Sequence, residues 1–156
     1  MVLLAFFALF RPVPFLSNTA LDFFMDIAGL LIILAGQALR AVVIGLAYIK
    51  RGGVNKTIHA NTLVTNGIFA HCRNPLYVGN LLILTGLLVI FNNPWVYLAG
   101  GGFFVFSYAA IVQAEEFFLL QKFGDEYKDY CKRVNRWTCN VSGLRNTLHS
   151  MEFKWM

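Results

Sequence analysis

Three polar residues at the start of an apolar segment have side chains suited to binding a small charged ligand. Arg73 and Asn74 precede Pro75, and Tyr77 follows, within the run RNPLYVG at residues 73–79. A guanidinium binds a carboxylate through two parallel hydrogen bonds, and a tyrosine ring can stack on a ligand or donate a hydrogen bond. Arg73 and Tyr77 are four residues apart, so a helix through this stretch would place both on one face. A plain membrane anchor would require neither side chain.

Two adjacent acids, Glu115 and Glu116, follow the last long apolar segment. The sequence predicts that they lie at the C-terminal end of a helix, where the helix dipole favours cations. They are either ordinary charges at a membrane surface or groups that hold a cation, which could be a ligand amine or Arg73. An arginine for a carboxylate and acids for an amine together suit a ligand that carries both groups, such as an amino-acid-derived cofactor.

The composition places these residues in an integral membrane protein. The chain has 156 residues, of which 58% are hydrophobic and 13% are charged, and its mean hydropathy is +0.60. Soluble domains carry about 25% charged residues. The net charge of +5 comes from basic residues at segment ends rather than from an aromatic-interleaved patch. We therefore expect no nucleic-acid partner. The 3 cysteines lack CxxC or Cys/His spacing, which predicts neither a disulfide framework nor a metal site.

Four apolar segments predict an all-α integral membrane fold with a single domain over residues 1–156. A spanning helix needs about 20 apolar residues. The predicted spans cover residues 2–16, 21–49, 75–91 and 94–114. The first segment is marginal because Arg11, Pro12 and Pro14 interrupt it, so it is either a short span or a re-entrant piece.

The last two spans are predicted to form an antiparallel helical hairpin. Asn92, Asn93 and Pro94 join them, and this composition favours a tight turn before a helix that begins at proline. The glycines at residues 100–102 would allow another backbone to approach the last span closely.

Lysine and arginine predict the orientation of the chain. They cluster in the loop at residues 50–74 and in the tail at residues 115–156, and a four-span protein has both on one side. The positive-inside rule makes that side cytoplasmic. In the tail, apolar and aromatic residues recur at helical spacing, which predicts an amphipathic helical segment over the cytoplasmic face, with a break at Gly124. The members of this stripe are Leu120, Phe123, Tyr127, Tyr130 and Val134.

The loop contributes two further candidate residues. A linker of this length without a helical pattern is usually functional or disordered, and apolar residues such as Leu63 argue against disorder. Gly67 provides a backbone that can turn sharply or approach a ligand closely. Together with Arg73 and the two acids, these residues predict a pocket at the cytoplasmic surface.

Two ordered blocks of sequence resemble the isoprenylcysteine carboxyl methyltransferase family, a relative of the phospholipid methyltransferases, and in particular its bacterial-type members. The first block reads LVTNGIFAHCRNPLYVGNLL and the second reads EEFFLLQKFGDEYKDYCKRV, with the Asn-Pro turn between them. The match covers about residues 61–136. The resemblance implies a small helical membrane enzyme that uses S-adenosylmethionine to methylate a lipophilic substrate.

The resemblance also implies site residues. It places cofactor binding on both blocks, at Leu63, Gly67, Arg73, Asn74, Pro75, Tyr77, Gly79, Glu115 and Glu116. Arg73 and Glu116 are the implied catalytic residues, with Arg73 orienting a carboxylate of the acceptor or cofactor and Glu116 securing an amine. Asn74 and Asn61 stand where the eukaryotic pattern has histidine, so an obligatory imidazole base is not expected.

Two activities within this class remain open. Carboxyl methylation of an isoprenylcysteine-like substrate is the leading prediction, and N-, S- or O-methylation of a phospholipid or another small lipophilic molecule is the alternative. A carboxylate acceptor needs no base, whereas an amine acceptor must first lose a proton, which a glutamate could take. A non-enzymatic membrane scaffold is the alternative from a different class. The expected partners are the lipophilic or prenylcysteine-like substrate and membrane lipids, without a metal.

Overall fold

The computed structural model describes residues 2–13, 19–51 and 63–149, and this part of the chain is helical without a strand. Its α-helices are α1 (Val2–Leu9), α2 (Thr19–Arg51), α3 (Pro75–Phe91), α4 (Gly102–Phe123), α5 (Asp125–Arg133) and α6 (Leu144–His149). A 3₁₀ turn covers Gly67–Ala70, and a π-helical turn covers Val96–Gly101 directly before α4. Asn61, most of the loop before residue 63 and the last residues of the tail lie outside the described residues. The all-α prediction is confirmed for the described chain.

Two helical segments are long and apolar enough to cross a membrane. They cover Thr19–Gly45 and Val96–Phe123, and only 17% and 11% of their most apolar stretches are buried inside the protein. A core helix of a soluble protein buries its apolar side chains, whereas these helices expose large ones such as Leu34 and Phe106. The exposure matches a lipid-facing surface, and the chain is a membrane protein.

The bounds of α3 coincide with the predicted third span, although its 17 residues are slightly fewer than a full span needs. The helix begins at Pro75, whose fixed φ suits a first helical position. It ends before Asn92, which has a positive φ of 43°. Asn93 accepts hydrogen bonds through Oδ1 from the backbone N–H groups of Trp95 (2.9 Å) and Val96 (3.3 Å). The two asparagines thus end α3 with a bend and cap the next helix.

The first predicted span is only partly represented by α1, which has 8 residues and is too short to cross a bilayer alone. Phe7 of this helix stacks on Phe91 with ring centroids 4.4 Å apart. The Asn92 and Asn93 side-chain amides donate hydrogen bonds of 2.8 Å to the carbonyls of Val13 and Arg11. The N-terminal segment is therefore attached to the turn after α3. Residues 14–16 of the predicted span lie outside the described residues.

The chain divides into two compact units, and the first comprises Tyr77–Ile111 with the described residues up to Ala38. Within it, small residues let α2 and α3 approach at backbone distance. A Cβ added at Gly36 would lie 2.7 Å from the Gly79 carbonyl oxygen and 2.9 Å from Cγ1 of Ile83. A Cβ at Gly29 would lie 2.8 Å from the Gly86 carbonyl oxygen. Glycine is required at these crossings because any side chain would clash with backbone.

The predicted close approach at the glycines of residues 100–102 is wrong for two of them. A Cβ at Gly101 would meet only Cδ1 of Leu88, at 3.5 Å, which is ordinary van der Waals contact. A Cβ at Gly102 would have no described atom within 4 Å. These glycines lie instead at the junction between the π-helical turn and α4.

The fourth helix continues past residue 114, where the predicted span ends. It runs to Phe123 because no helix breaker occurs before Gly124, which has a φ of 54°. Glu115 and Glu116 therefore lie inside α4 rather than at its C-terminal end, and the helix-end argument for cation binding does not apply to them.

The second unit comprises the described residues of Leu39–Leu76 and of Val112–Met156. Its core is a cluster formed by Tyr127, Tyr130 and Val134, with Leu63, Leu119, Phe123 and Cys131 packed around it. Four of the five residues predicted as a helical stripe belong to this cluster, while Leu120 is exposed. The amphipathic helix α5 thus packs its aromatic face into the unit and turns its charged residues outward.

The glycine contacts predict a difference between two Gly→Ala substitutions. Gly36→Ala should lower the free energy of unfolding by about 1–3 kcal/mol, because its methyl group would overlap Gly79 and Ile83. Gly102→Ala, the control, should be neutral or stabilise by about 0.5–1 kcal/mol, because it has space and removes backbone freedom. Denaturant unfolding of the purified chain in detergent measures both. Equal stability of the two variants would contradict the assigned crossing.

Candidate functional site

The buried carboxylate of Glu116 is the centre of the second unit's polar cluster. Its side chain is 9% exposed. Asn74 donates a hydrogen bond from Nδ2 to Oε1 over 3.1 Å. Arg136 donates from both Nε (3.0 Å) and Nη2 (2.7 Å) to Oε2. Each carboxylate oxygen thus has a donor, which a buried charge requires to offset its lost hydration.

Arg73 lies beside the same carboxylate, but one of its hydrogen-bond donors has no partner among the described residues. Its Nη1 is 3.6 Å from Glu116 Oε2 and donates a hydrogen bond to the Cys131 sulfur. The side chain is 13% exposed, and its Nε is buried without a hydrogen-bond partner among the described residues. Leaving a buried donor unpaired costs about 1–3 kcal/mol. A ligand carboxylate would supply the missing acceptor.

The backbone before α3 places Arg73 and Asn74. Gly67 adopts a positive φ of 67° and begins the 3₁₀ turn, as its predicted turning role requires. The Tyr130 hydroxyl donates a 2.7 Å hydrogen bond to the Phe69 carbonyl and so attaches this turn to α5. Pro75, which is fully buried, begins α3 directly afterwards. Arg73 and Asn74 therefore stand in a short bend fixed at both ends.

A segment at residues 134–140, called the C-terminal strap below, runs antiparallel to residues 71–74. The backbone N–H of Arg73 donates to the Asn135 carbonyl (3.0 Å), and that of Asn140 donates to the His71 carbonyl (2.9 Å). His71 Nδ1 lies 2.6 Å from the Asn140 carbonyl oxygen. Asn74 Nδ2 also donates to the Arg136 carbonyl (3.3 Å). These bonds bring Arg136 to Glu116.

The environment changes the acidity of four side chains around the cluster. Burial raises the pKa of Tyr127 well above its ordinary value, and the Glu116 charge adds to this effect. Burial likewise raises the pKa of Tyr130. Both phenols are therefore neutral hydrogen-bonding groups near neutral pH.

Two neighbouring cysteines shift each other's pKa in opposite directions. The interaction with Cys139, followed by burial, raises the pKa of Cys72 far above its ordinary value. The interaction with Cys72 lowers the pKa of Cys139 to about 7, although burial opposes this shift. Cys72 therefore remains a thiol at neutral pH.

The structure brings together three of the predicted site residues, Arg73, Asn74 and Glu116, in contact or near contact. Leu63 packs against the Tyr127 cluster. Glu115 is exposed on α4. The predicted residues therefore include the centre of the polar cluster, while Leu63 lies in the aromatic cluster and Glu115 on the exposed surface of α4.

Two predicted residues belong to the first unit, where they have other contacts. Tyr77 packs against Tyr108 with ring centroids 5.8 Å apart, and Gly79 forms the close crossing with Gly36. The expectation that Arg73 and Tyr77 share a helical face is wrong, because α3 begins at Pro75 and Arg73 precedes it. The cofactor-binding roles of Tyr77 and Gly79 remain predictions.

Sequence reasoning missed Arg136, which makes the shortest contact to Glu116. In the sequence, the basic residues of the tail indicate only the orientation of the chain. A single arginine in a non-helical segment carries no periodic signal, and its partner is 20 residues away. The available signal was its place just after the aromatic stripe ends at Val134.

The sequence matches the phospholipid methyltransferase family over residues 24–126, and the chain belongs to that family. This confirms the relationship indicated by its two sequence blocks.

The proteins to which this chain is similar have two kinds of name. A protein-S-isoprenylcysteine O-methyltransferase of Rattus norvegicus is 34% identical over 123 residues, covering 78% of this chain and 43% of the relative. The cobalt-zinc-cadmium resistance protein CzcN of Cupriavidus metallidurans is 34% identical over 107 residues, covering 60% and 49%. A probable protein-S-isoprenylcysteine O-methyltransferase of Oryza sativa subsp. indica is 30% identical over 115 residues, covering 72% and 60%.

The chain spans about half the length of these relatives. No solved structure matches it significantly.

The Glu116 contacts predict a local effect on the strap. Glu116→Gln should speed amide hydrogen exchange in residues 134–140 about tenfold, because charge-assisted bonds to Arg136 are worth roughly 1.5–3 kcal/mol. Exchange followed by mass spectrometry measures this. Glu126→Gln, the same substitution at an exposed position of α5, should leave strap exchange unchanged. Wild-type exchange in the Glu116 variant would show that the strap is held by its backbone bonds alone.

Proposed function

We propose that the chain is an S-adenosylmethionine-dependent methyltransferase that acts on a lipophilic acceptor, with an isoprenylcysteine-like carboxylate as its substrate class. Family membership and the names of its relatives support a methyltransferase. The observation that carries the proposal is the Arg73–Asn74–Glu116 cluster. It joins residues from both sequence blocks to which the resemblance assigns cofactor binding.

The residues of this cluster fit the amino-acid end of S-adenosylmethionine. Arg73 has a buried Nε that lacks an acceptor, which suits a carboxylate. Glu116 supplies an anion for an amine, and Asn74 supplies an amide beside it. The cofactor, when bound, supplies an electrophilic methyl group on a sulfonium. Leu63, Gly67, Pro75 and Glu115 belong to the same unit as this cluster. Together with Tyr77 and Gly79, they are proposed as cofactor contacts from the resemblance alone.

The hydrogen bonds of Glu116 favour a carboxylate acceptor over an amine. Oε1 accepts from Asn74, and Oε2 accepts two hydrogen bonds from Arg136. These donors hold the carboxylate in place, so Glu116 is better placed to orient a ligand through its remaining lone pair than to remove a proton. A carboxylate is already nucleophilic at neutral pH, and positioned reactants gain roughly 7–11 kcal/mol from proximity and alignment. Arg73 and Glu116 therefore act in this proposal by orienting the reactants.

Phospholipid N-methylation is the second candidate, and the name of the matched family favours it. An amine acceptor must lose a proton, and the exposed Glu115 beside Glu116 is a carboxylate that could receive it. The two candidates thus differ in which glutamate the reaction needs.

For the membrane arrangement we propose four spans, with α3 and the segment Val96–Phe123 as an antiparallel hairpin and with the loop and tail cytoplasmic. The tight turn at Asn92 and Asn93 and the packing of Leu84 and Leu88 against Val96 support the hairpin. The cluster of basic residues in loop and tail supports the orientation.

A cysteine-accessibility experiment tests this orientation. With the native cysteines replaced, an impermeant maleimide should label Ser142→Cys only in inside-out vesicles, because the tail faces the cytoplasm. Trp95→Cys, which is exposed beside the turn after α3, should be labelled only in intact cells. Labelling of both positions from one side would exclude the proposed topology.

Cofactor binding and methyl transfer test the proposed activity. Calorimetry with the full chain in nanodiscs should detect S-adenosylmethionine binding, and Arg73→Ala and Glu116→Gln should each weaken it about tenfold or more, since a charge-assisted bond is lost. Lys132→Met, which removes an exposed lysine paired with Asp129, should bind normally. Radiolabelled methyl groups should reach N-acetyl-S-farnesylcysteine rather than phosphatidylethanolamine vesicles.

The outcomes separate the candidate functions. Transfer only to phosphatidylethanolamine would replace the first candidate by the second. No binding heat with a folded wild-type chain would favour a membrane scaffold without this activity.

A further inference from the structure

Arg136 contacts Glu116 with only one edge of its guanidinium. Nε and Nη2 both donate to Oε2, over 3.0 and 2.7 Å. Among the described residues, no hydrogen bond or ion pair involves Nη1. The side chain is 45% exposed, whereas Arg73 on the same carboxylate is 13% exposed. Arg136 therefore presents free donor capacity on the accessible side of a buried cluster.

The charges of this cluster do not balance. Two guanidinium groups, those of Arg73 and Arg136, share the single carboxylate of Glu116 in the ion pairs of the described residues. This leaves one positive charge beside a partly buried surface. One further anion would compensate it, and a planar carboxylate matches the fork geometry of an arginine edge.

Arg136 is also held in position, which distinguishes it from an ordinary surface arginine. Its carbonyl accepts hydrogen bonds from Asn74 Nδ2 (3.3 Å) and from the Cys72 sulfur (3.8 Å). Its neighbour Asn135 accepts a backbone hydrogen bond from Arg73 (3.0 Å). Backbone and side chain are thus both anchored, so the outer edge of the guanidinium is pre-oriented and loses little entropy on binding.

We propose that Arg136 is a specificity-determining residue that holds Glu116 with one edge and binds a ligand carboxylate with the other. This rests on the proposed methyltransferase function and deepens it, because it makes a carboxylate a recognised feature of the ligand. The carboxylate has two sources, the amino-acid end of the cofactor and the methyl acceptor. Both carry the same chemistry, and the experiment distinguishes them.

Two matched ligand pairs isolate the carboxylate. Calorimetry with the full chain in nanodiscs compares S-adenosylmethionine with its decarboxylated form, which keeps the amine and the sulfonium. The second comparison is N-acetyl-S-farnesylcysteine against its carboxamide. For each pair, the dissociation constant of the ligand without the carboxylate is divided by that of the ligand with it. This ratio reports recognition of the carboxylate, independently of turnover.

Arg136→Met should reduce one of these ratios about tenfold or more relative to wild type, in line with the loss of a charge-assisted bond. Arg136→Lys keeps the charge without the fork and should give an intermediate ratio. Arg145→Met makes the same substitution at an exposed position of α6 and should leave both ratios unchanged. Glu116 keeps Asn74 and Arg73 as partners in the Met variant, so its carboxylate is not orphaned.

A reduced ratio for the cofactor pair assigns the outer edge to the cofactor, and a reduced ratio for the acceptor pair assigns it to the acceptor. Unchanged ratios in Arg136→Met and Arg136→Lys, with tight binding retained, would overturn this assignment and leave the proposed function standing. A folded wild-type chain that binds neither pair would overturn both. If Arg136→Met does not fold, the Lys variant decides by the same criterion.

Discussion

A buried carboxylate needs hydrogen-bond donors, and in this protein Glu116 obtains them from two distant stretches of chain. Asn74 comes from the bend before α3 and Arg136 from the C-terminal strap. Removing one partner of a buried ion pair costs about 3–5 kcal/mol when the remaining charge is left uncompensated. The need to pair this one group therefore ties the bend, α4 and the strap together. The same need concentrates charge at the site proposed for a zwitterionic ligand.

The side chains of the cluster are held in fixed positions, yet some of their hydrogen-bond donors have no acceptor. The backbone bonds between residues 71–74 and the strap fix the positions of the side chains, and the aromatic cluster around Tyr127 packs beside them. Yet Arg73 has an unpaired buried donor, and Arg136 has an unused edge. Native proteins rarely leave buried polar groups unpaired. A rigid frame with unpaired donors is what the proposed carboxylate binding requires.

Local signals in the sequence predicted the features that depend on neighbouring residues. Pro75 and the asparagines after Phe91 bounded α3, and Gly124 separated α4 from α5 because each acts through its own backbone conformation. Arg73, Asn74 and Glu116 could be selected as candidate site residues because they belong to the two sequence blocks that resemble a known family.

What the sequence did not predict depends on tertiary packing. The close crossings occur at Gly36 and Gly29 rather than at Gly101 and Gly102, because a crossing depends on which face meets a neighbour. Arg136 was missed because its contact with Glu116 joins two parts of the chain that no helical pattern relates.

The positions of these residues in the chain also determine when their contacts can form during synthesis. Arg136 follows Glu116 by 20 residues. At about 5–20 residues per second, a ribosome adds them in roughly 1–4 seconds. During that interval the nascent chain contains Asn74 and Glu116 without the strap, so Glu116 gains its Arg136 partner only after the strap has been synthesised.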